Sequence, residues 1–367
     1  MEKGHIMFIS RGMSYGGSGR CISAFSSGLV EQGFKVSLVI LRDYKNEYYI
    51  NSKINVIRLG LCTNDIKVSK ANVILKWFPF IAKIIRKEQP DVVIPFGVDI
   101  CLLTVLGCYK KCKICLTVRS NPKAEPKTEF WRKIRDYIYA KADYVWVQNF
   151  QQRELMPHIV QEKIFVIPNP IKNGLVDEEF EYTDNVCKFV NVGRLSTQKN
   201  QIVLIKAMCI LCEKYTNISL DIYGEGELKS ILEEVIRENK MQEKVFLKGR
   251  NNNIVEALKK EDVFILSSLF EGMPNALMEA MAIGMPCIST DCETGPKDLI
   301  EHKKNGLLVS CNDEYELSRA MECLILNPSK CEEYGKLAKE KIKNEYKEEQ
   351  ITSKLVSILE KICCKGD

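Results

Sequence analysis

Short, uninterrupted apolar runs alternate along this chain with longer stretches whose apolar positions recur every three or four residues. In the first half the runs occupy 5–10 (HIMFIS), 35–41, 54–59, 90–96 (PDVVIPF), 113–118 (KICLTV), 143–148 (DYVWVQ) and 163–170 (KIFVIPNP). In the second half they occupy 187–193 (CKFVNVG), 218–227 (ISLDIYGEGE), 245–250 (VFLKGR), 263–266, 287–290 (CIST) and 305–309 (NGLLV). Apolar runs this short, bounded by turn residues, predict strands of a parallel sheet buried on both faces. The periodic stretches between them predict helices near 20–32, 100–109, 129–142, 149–156 and 201–214, then near 313–325, 330–344 and 349–363. Strand and helix alternating twice over predict an α/β fold of two Rossmann-like domains. The Pro-bounded segment around Asn169 divides them: a first domain over 1–169, a second over 170–348, and a terminal helix over 349–367. The polar loop 182–185 opens the second domain.

Within the second half, the stretch 267–286 (SSLFEGMPNALMEAMAIGMP) holds two glutamates, Glu271 and Glu279. It predicts Glu271 at the C-terminal end of the strand 263–266, a turn at Gly272, and Pro274 in the first turn of a helix, where its missing N–H costs nothing. From Asn275 to Ile283 the residues are good helix formers, and Gly284 and Pro286 stop the run. Glu279 then stands about two turns into it, eight positions and about 12 Å from Glu271. Two carboxylates cooperating on one bond sit about 5–10 Å apart, so this spacing suits the two ends of a long polar ligand better. The helix N-terminus between them offers free N–H groups to an anion. Taken alone, a bare pair of glutamates reads first as an ordinary helix with one cap and one solvated side chain; its context changes that. In the turn GRLSTQKN after the strand 187–193, Arg194 and Lys199 stand where two cations can neutralise a diphosphate; alone they read as solvated surface charges. The glycine-rich turn RGMSYGGSG at 11–19 can bring backbone N–H groups close to an anion, or is a tight strand–helix turn without a ligand.

EGMPNALMEAMAIGMP, with its Gly-Met-Pro turn and trailing Gly-x-Pro, and the Gly-Arg…Lys set ending at Lys199 resemble the signature of retaining GT-B glycosyltransferases of family 4, the glycosyl transferases group 1. The likeness is strongest over 187–310. It implies two Rossmann-like domains facing a central cleft, with the final helix packed back on the first domain. It implies a nucleotide-sugar donor, UDP-linked, whose sugar is held by Glu271 while Arg194 and Lys199 neutralise the departing diphosphate; these three are the catalytic candidates. Glu279 would bind the ribose. Gly272, Met273, Pro274, Asn275, Ala276 and Leu277 would line the donor site, Gly16 and Gly17 would face the diphosphate, and Gly249 and Arg250 mark where the nucleobase is read. Ile-Pro-Asn-Pro at 167–170 resembles the family's interdomain crossing, and the Gly-Pro turn in DCETGPKDLI resembles a subset of the family. Arg20, Arg119 and Asn121 are candidates for acceptor or anion binding. Many family members place a histidine near 119–121; the three histidines here, His5, His158 and His302, lie elsewhere. No Asp-x-Asp motif occurs, so no metal or other cofactor is expected.

Charge adds a partner. Residues 1–170 hold 26 Lys and Arg against 14 Asp and Glu, a net of +12, while the remainder is −7. A basic half implies an anionic partner. Nothing in the chain interleaves aromatic and basic residues as nucleic-acid binders do, so no nucleic acid is expected. An anionic membrane surface or a lipid-phosphate acceptor fits as well. The stretch 70–87 (KANVILKWFPFIAKIIRK) is the membrane candidate: an interfacial amphipathic helix, or a sheet-covering helix with solvated lysines, kinked or split at Pro79. The sixteen cysteines lie in apolar stretches and read as free thiols. The pairs Cys112/Cys115 and Cys209/Cys212 lack flanking histidines, which argues against zinc. The opening residues lack a signal-peptide core, and no apolar run reaches the roughly 20 residues of a membrane span, so a cytoplasmic, peripheral location is expected.

The combined expectation is a retaining glycosyltransferase moving a hexose or N-acetylhexosamine to a glycan or polyprenyl-linked acceptor in cell-surface polysaccharide synthesis. Glu271→Ala or Lys199→Ala would abolish transfer with the fold intact. A sugar-nucleotide epimerase of the same fold is one alternative; it would convert donor without acceptor, as NMR of donor alone would show. A non-catalytic two-lobed ligand-binding protein is the other. Such proteins are often exported, against which the absent signal core and free thiols weigh.

Overall fold

The computed structural model describes residues 3–14, 16–45, 47–60, 70–108 and 112–364, with the backbone alone for 70–76. The chain divides into two compact units, Met1–Pro170 with Glu348–Asp367, and Ile171–Lys347. The first unit runs β1 (His5–Ser10), α1 (Gly17–Glu31), β2 (Lys35–Ile40), β3 (Asn55–Arg58), α2 (Lys70–Glu88), β4 (Val92–Phe96), α3 (Val98–Gly107), β5 (Lys113–Thr117), α4 (Glu129–Ala140), β6 (Tyr144–Val147), α5 (Phe150–Glu154) and β7 (Ile164–Val166). The second runs β8 (Lys188–Val192), α6 (Gln201–Cys212), β9 (Ser219–Tyr223), α7 (Lys229–Glu238), β10 (Val245–Gly249), α8 (Ile254–Leu258), β11 (Val263–Leu266), α9 (Asn275–Ile283), β12 (Cys287–Thr290), α10 (Pro296–Leu299), β13 (Leu307–Val309), α11 (Glu314–Leu326) and α12 (Pro328–Glu345). The last helix, α13 (Glu348–Cys364), belongs to the first unit.

The first sheet has the order β3-β2-β1-β4-β5-β6-β7, all parallel. Alternate strand residues feed opposite faces, as the two-residue period of a strand requires. Ile6 and Phe8 pack with Ile22, Phe25 and Leu29 of α1 and with Ile351, Leu355 and Leu359 of α13. Met7 and Ile9 pack with Trp77, Ile81 and Ile85 of α2 and with Ile100 and Leu103 of α3. The same face continues under α4, where Ile138 and Tyr139 meet Leu116, Val145 and Val147. The second sheet has the order β10-β9-β8-β11-β12-β13, again parallel. Helices α6, α7 and α11 cover one face, and α9 and α12 the other.

Three local readings differ from the structure. Helix α2 runs unbroken through Pro79. Trp77 before it and Ile81 and Ile85 after it are buried in one cluster, which holds the flanking turns in place without the missing hydrogen bond. The described part of α2 is therefore a cover for the sheet; the lysines at 70 and 76 lie outside the described side chains. Helix α9 spans Asn275–Ile283, the run of helix formers, but Pro274 is its N-cap and not part of its first turn. Glu279 therefore stands little more than one turn into it, and Glu271 lies in a loop five residues beyond β11. Helices α7, α8 and α10 are short and were not anticipated. No helix among the described residues is long and apolar enough to cross a membrane. The described cysteines are free.

One buried acid gives a pH-dependent consequence. Glu261 is buried just before β11, and burial first, then the charge of Asp221, pushes its carboxyl from 4.5 up to about 7. The folded chain thus binds this proton more tightly than the unfolded chain. The resulting stability is present below pH 4.5 and is lost as pH rises through about 7. Glu261→Gln should raise the melting temperature at pH 8 and change it little at pH 4, as calorimetry at the two pH values would show.

Candidate active site

In an open parallel sheet, ligands gather at the C-terminal ends of the strands where the strand order reverses. In the second unit that point lies between β8 and β11, paired through Val263 with Phe189 and Phe264 with Val190. The loop after β8 carries Arg194 and Lys199, and the loop after β11 carries Glu271. The topology thus makes neighbours of residues 72 positions apart: Lys199 Nζ donates to Glu271 Oε1 at 2.5 Å. Glu271 is only 6% exposed. The same Oε1 accepts from Ser268 Oγ at 2.6 Å. Oε2 carries no hydrogen bond among the described residues. An ammonium group has three donors, and Glu271 is the side-chain partner of Lys199 among the described residues, so capacity remains on both members of the pair.

The two loops are laced together. Leu269 N donates to Gln198 O at 2.8 Å, Gln198 Nε2 to Phe270 O at 2.9 Å, and Ser267 Oγ to Lys199 O at 2.8 Å. Thr290 Oγ1 holds Ser268 O at 2.6 Å, and Thr294 Oγ1 donates to Glu271 O. Behind the first loop, the turn after β9 presses backbone on backbone: a Cβ on Gly224, whose φ is +146°, would lie 1.9 Å from Gly193 O. Behind the second, a Cβ on Gly295 would lie 2.7 Å from Gly272 O. Ser268, Thr294 and Gln198 were not among the sequence candidates. Ser268 stands three residues before Glu271 and so had a local signal; Thr294, 23 positions away, had none.

The other donor-site candidates fall on the same two loops or beside them. Gly272, Met273 and Pro274 form the buried turn into α9; Asn275, Ala276 and Glu279 are half-buried at its start, and Leu277 is core. Arg194 is exposed and makes no ion pair among the described residues, so it is a free cation beside a paired one. Its carbonyl accepts from Gln201 Nε2 at 3.0 Å, which ties the loop to α6. Gly249 ends β10 with φ +68° and accepts from Gly224 N at 2.8 Å; Arg250 follows, exposed.

In the first unit, Gly16 caps α1 and Gly17 opens it. The acceptor-side candidates are fastened to their own unit. Arg20 is buried and its Nη2 donates to Pro170 O at 2.9 Å. Arg119 lies over the rings of Phe96 and Trp146, 4.3 and 4.2 Å from their centroids, and its Nη1 donates to Asn169 Oδ1 at 3.3 Å. Its Nε and Nη2 are buried without a hydrogen-bond partner among the described residues, and burial lowers its pKa to about 10. Asn121 is buried and accepts from Lys123 N at 2.7 Å, which makes it a turn former. Arg119 and Arg135 line a cavity of about 210 Å³ at the end of β5. No cluster of three or more His, Cys, Asp or Glu side chains suited to a metal ion occurs among the described residues.

Two parallel α/β units, one with a charged pair at its switch point, place the chain in the GT-B class of fold. A solved structure of sucrose-phosphate synthase from Thermosynechococcus elongatus shares the architecture, with a TM-score of 0.85 at 17% identity over 98% of this chain and 99% of that one. Two family profiles match in succession: Glycosyltransferase Family 4 over residues 15–173 and Glycosyl transferases group 1 over residues 178–341. The chain belongs to the GT-B glycosyl transferases group 1 and is a glycosyltransferase. An uncharacterised glycosyltransferase of Methanocaldococcus jannaschii is 34% identical over 62% of this chain, a match spanning 62% of the relative's length. A Campylobacter jejuni α-1,4-N-acetyl-D-galactosaminyltransferase is 28% identical over 88% of this chain and 89% of its own. Its name gives its acceptor as GalNAc-α-(1→4)-GalNAc-α-(1→3)-diNAcBac-PP-undecaprenol.

Proposed function

We propose that the enzyme transfers a hexose or N-acetylhexosamine from a UDP-linked donor to a glycan or polyprenyl-linked acceptor of a cell-surface polysaccharide, with retention of anomeric configuration. The observation that carries this reading is the ion pair of Lys199 and Glu271 at the β8/β11 switch point. The Campylobacter jejuni relative, whose name combines an N-acetylhexosamine with a polyprenyl-diphosphate acceptor, supports the substrate classes.

In this reading the bond from the anomeric carbon to the diphosphate breaks, and the acceptor oxygen bonds to that carbon on the same face. The acceptor proton passes to the departing diphosphate. Negative charge therefore grows on the leaving group, and Lys199 and Arg194 stabilise it. Positive charge grows on the sugar, and the Glu271 carboxylate, fixed by Ser268 and Lys199, lies against it. Glu279 accepts from the ribose hydroxyls. The N-terminal end of α9 adds a positive dipole end.

A thermal-shift screen of UDP-, GDP- and ADP-sugars tests the donor. The matching class at about a hundredfold over its Kd adds about 2.7 kcal/mol, or several degrees in melting temperature. A shift with GDP- or ADP-sugars and none with UDP-sugars would overturn the donor assignment. Because protein cations carry the charge stabilisation here, transfer should persist in excess EDTA; loss of turnover restored by a divalent cation would show a metal in that role.

A further inference from the structure

Helix α4 shows aromatic side chains on both sides. Toward the sheet it buries Arg135, Ile138 and Tyr139. Toward water, Phe130, Trp131 and Tyr137 are 66%, 45% and 67% exposed. Residues 130, 133, 137 and 141 recur at three or four positions and form one stripe beside Ile134, which packs on the core. Lysines stand within it: Lys133 is exposed, and Lys141 Nζ lies 5.1 Å from the centroid of the Tyr137 ring. Phe130 and Trp131 meet edge to face at 5.5 Å. Two elements that neighbour α4 also expose an apolar side chain, Leu106 at the end of α3 and Ile159 in the 3-10 turn His158–Lys163.

A water-facing helix side ordinarily carries polar residues, and clustered exposed rings mark an interaction surface. Charge identifies the partner. The first unit holds 29 Lys and Arg against 18 Asp and Glu, a net of +11, whereas the second unit is −6. Around the stripe, residues 123–141 hold six basic and three acidic side chains. Glu129 is taken by Lys133 at 2.9 Å and Asp136 by Arg135 at 2.7 Å. Lys127 and Lys141 are exposed and form no ion pair among the described residues. Helix α4 thus interleaves aromatic and basic residues, contrary to the sequence reading, and this is the composition of an interfacial helix: the rings enter the headgroup layer and the ammonium groups meet lipid phosphates.

We propose that the outer stripe of α4 docks the protein on an anionic lipid bilayer. This surface is distinct from the candidate at 70–87, of whose aromatic side chains Trp77 is buried and Phe80 exposed. The proposal is independent of the donor-site reading, because vesicle binding is measured without turnover.

The test is flotation of the full chain with phosphatidylcholine vesicles with and without phosphatidylglycerol. The wild type should float with the anionic vesicles and lose binding as salt rises. The triple variant F130S/W131S/Y137S and, separately, K127E/K141E should each partition about tenfold less or weaker. Trp131 emission should shift to the blue on adding anionic vesicles, a change absent from Trp131→Phe. These side chains are exposed, so circular dichroism, melting temperature and transfer to a water-soluble acceptor should match the wild type. Absence of wild-type binding to anionic vesicles at low salt would overturn the proposal. So would wild-type binding by both variants, or a self-associated wild type that the triple variant dissociates without any vesicle binding.

Discussion

Lys199→Met should lower transfer by about two to three orders of magnitude. It should also cost about 3 kcal/mol of stability. Two separate losses meet at this residue. The chemical one is the cation that stabilises charge on the leaving diphosphate. The structural one is the partner left behind: Glu271 is buried, and without the ammonium 2.5 Å away its carboxylate keeps, among the described residues, only Ser268 as a side-chain donor. Breaking a buried pair from one side is costly because the other charge stays. The double variant K199M/E271Q separates the two losses. Removing both charges leaves no stranded carboxylate, so the melting temperature should recover most of the difference while transfer stays at background. The simpler expectation that alanine at either position spares the fold is thus revised: each single change carries a stability cost. Wild-type turnover in K199M/E271Q would remove the pair from the chemistry.

Gly224→Ala should destabilise the second unit by about 2–4 kcal/mol and depress transfer with it. The added methyl would lie 1.9 Å from the carbonyl oxygen of Gly193, and its nearest atoms are backbone, so no side-chain rotation relieves the clash. A φ of +146° adds strain for any residue with a Cβ. The loop that must give way carries Arg194 and Lys199. Chemical denaturation and steady-state kinetics on the same sample check both effects. Unchanged stability and turnover would mean that this backbone contact does not position the loop.

The strands were legible because a parallel sheet buries both faces, so Ile6 to Ile9 and Val263 to Leu266 read as continuous apolar runs. The two chemical loops were legible as motifs, yet their pairing was not. Lys199 and Glu271 meet only because β8 and β11 are neighbours at the switch point, and strand order is a long-range fact that local pattern does not carry. Treating 271–279 as one helical span set Glu279 too deep in its helix. A buried loop, held by Thr290, Thr294 and Gly295 from later in the chain, occupies the first half of that span. Amphipathic pattern also drew attention to α2 and passed over α4. Trp77, Ile81 and Ile85 of α2 turn inward while Phe80 is exposed, and in α4 Phe130, Trp131 and Tyr137 turn outward. Periodicity says that a helix has an apolar side, but not which neighbour covers it.

The most direct measurement is proton NMR of the reaction of an α-linked UDP-N-acetylhexosamine with a polyprenyl-diphosphate-linked glycan, using wild type and Glu271→Gln. The account predicts a new α-anomeric signal and free UDP with wild type, and neither with Glu271→Gln. A β-anomeric product, or equal α product from both proteins, would contradict it.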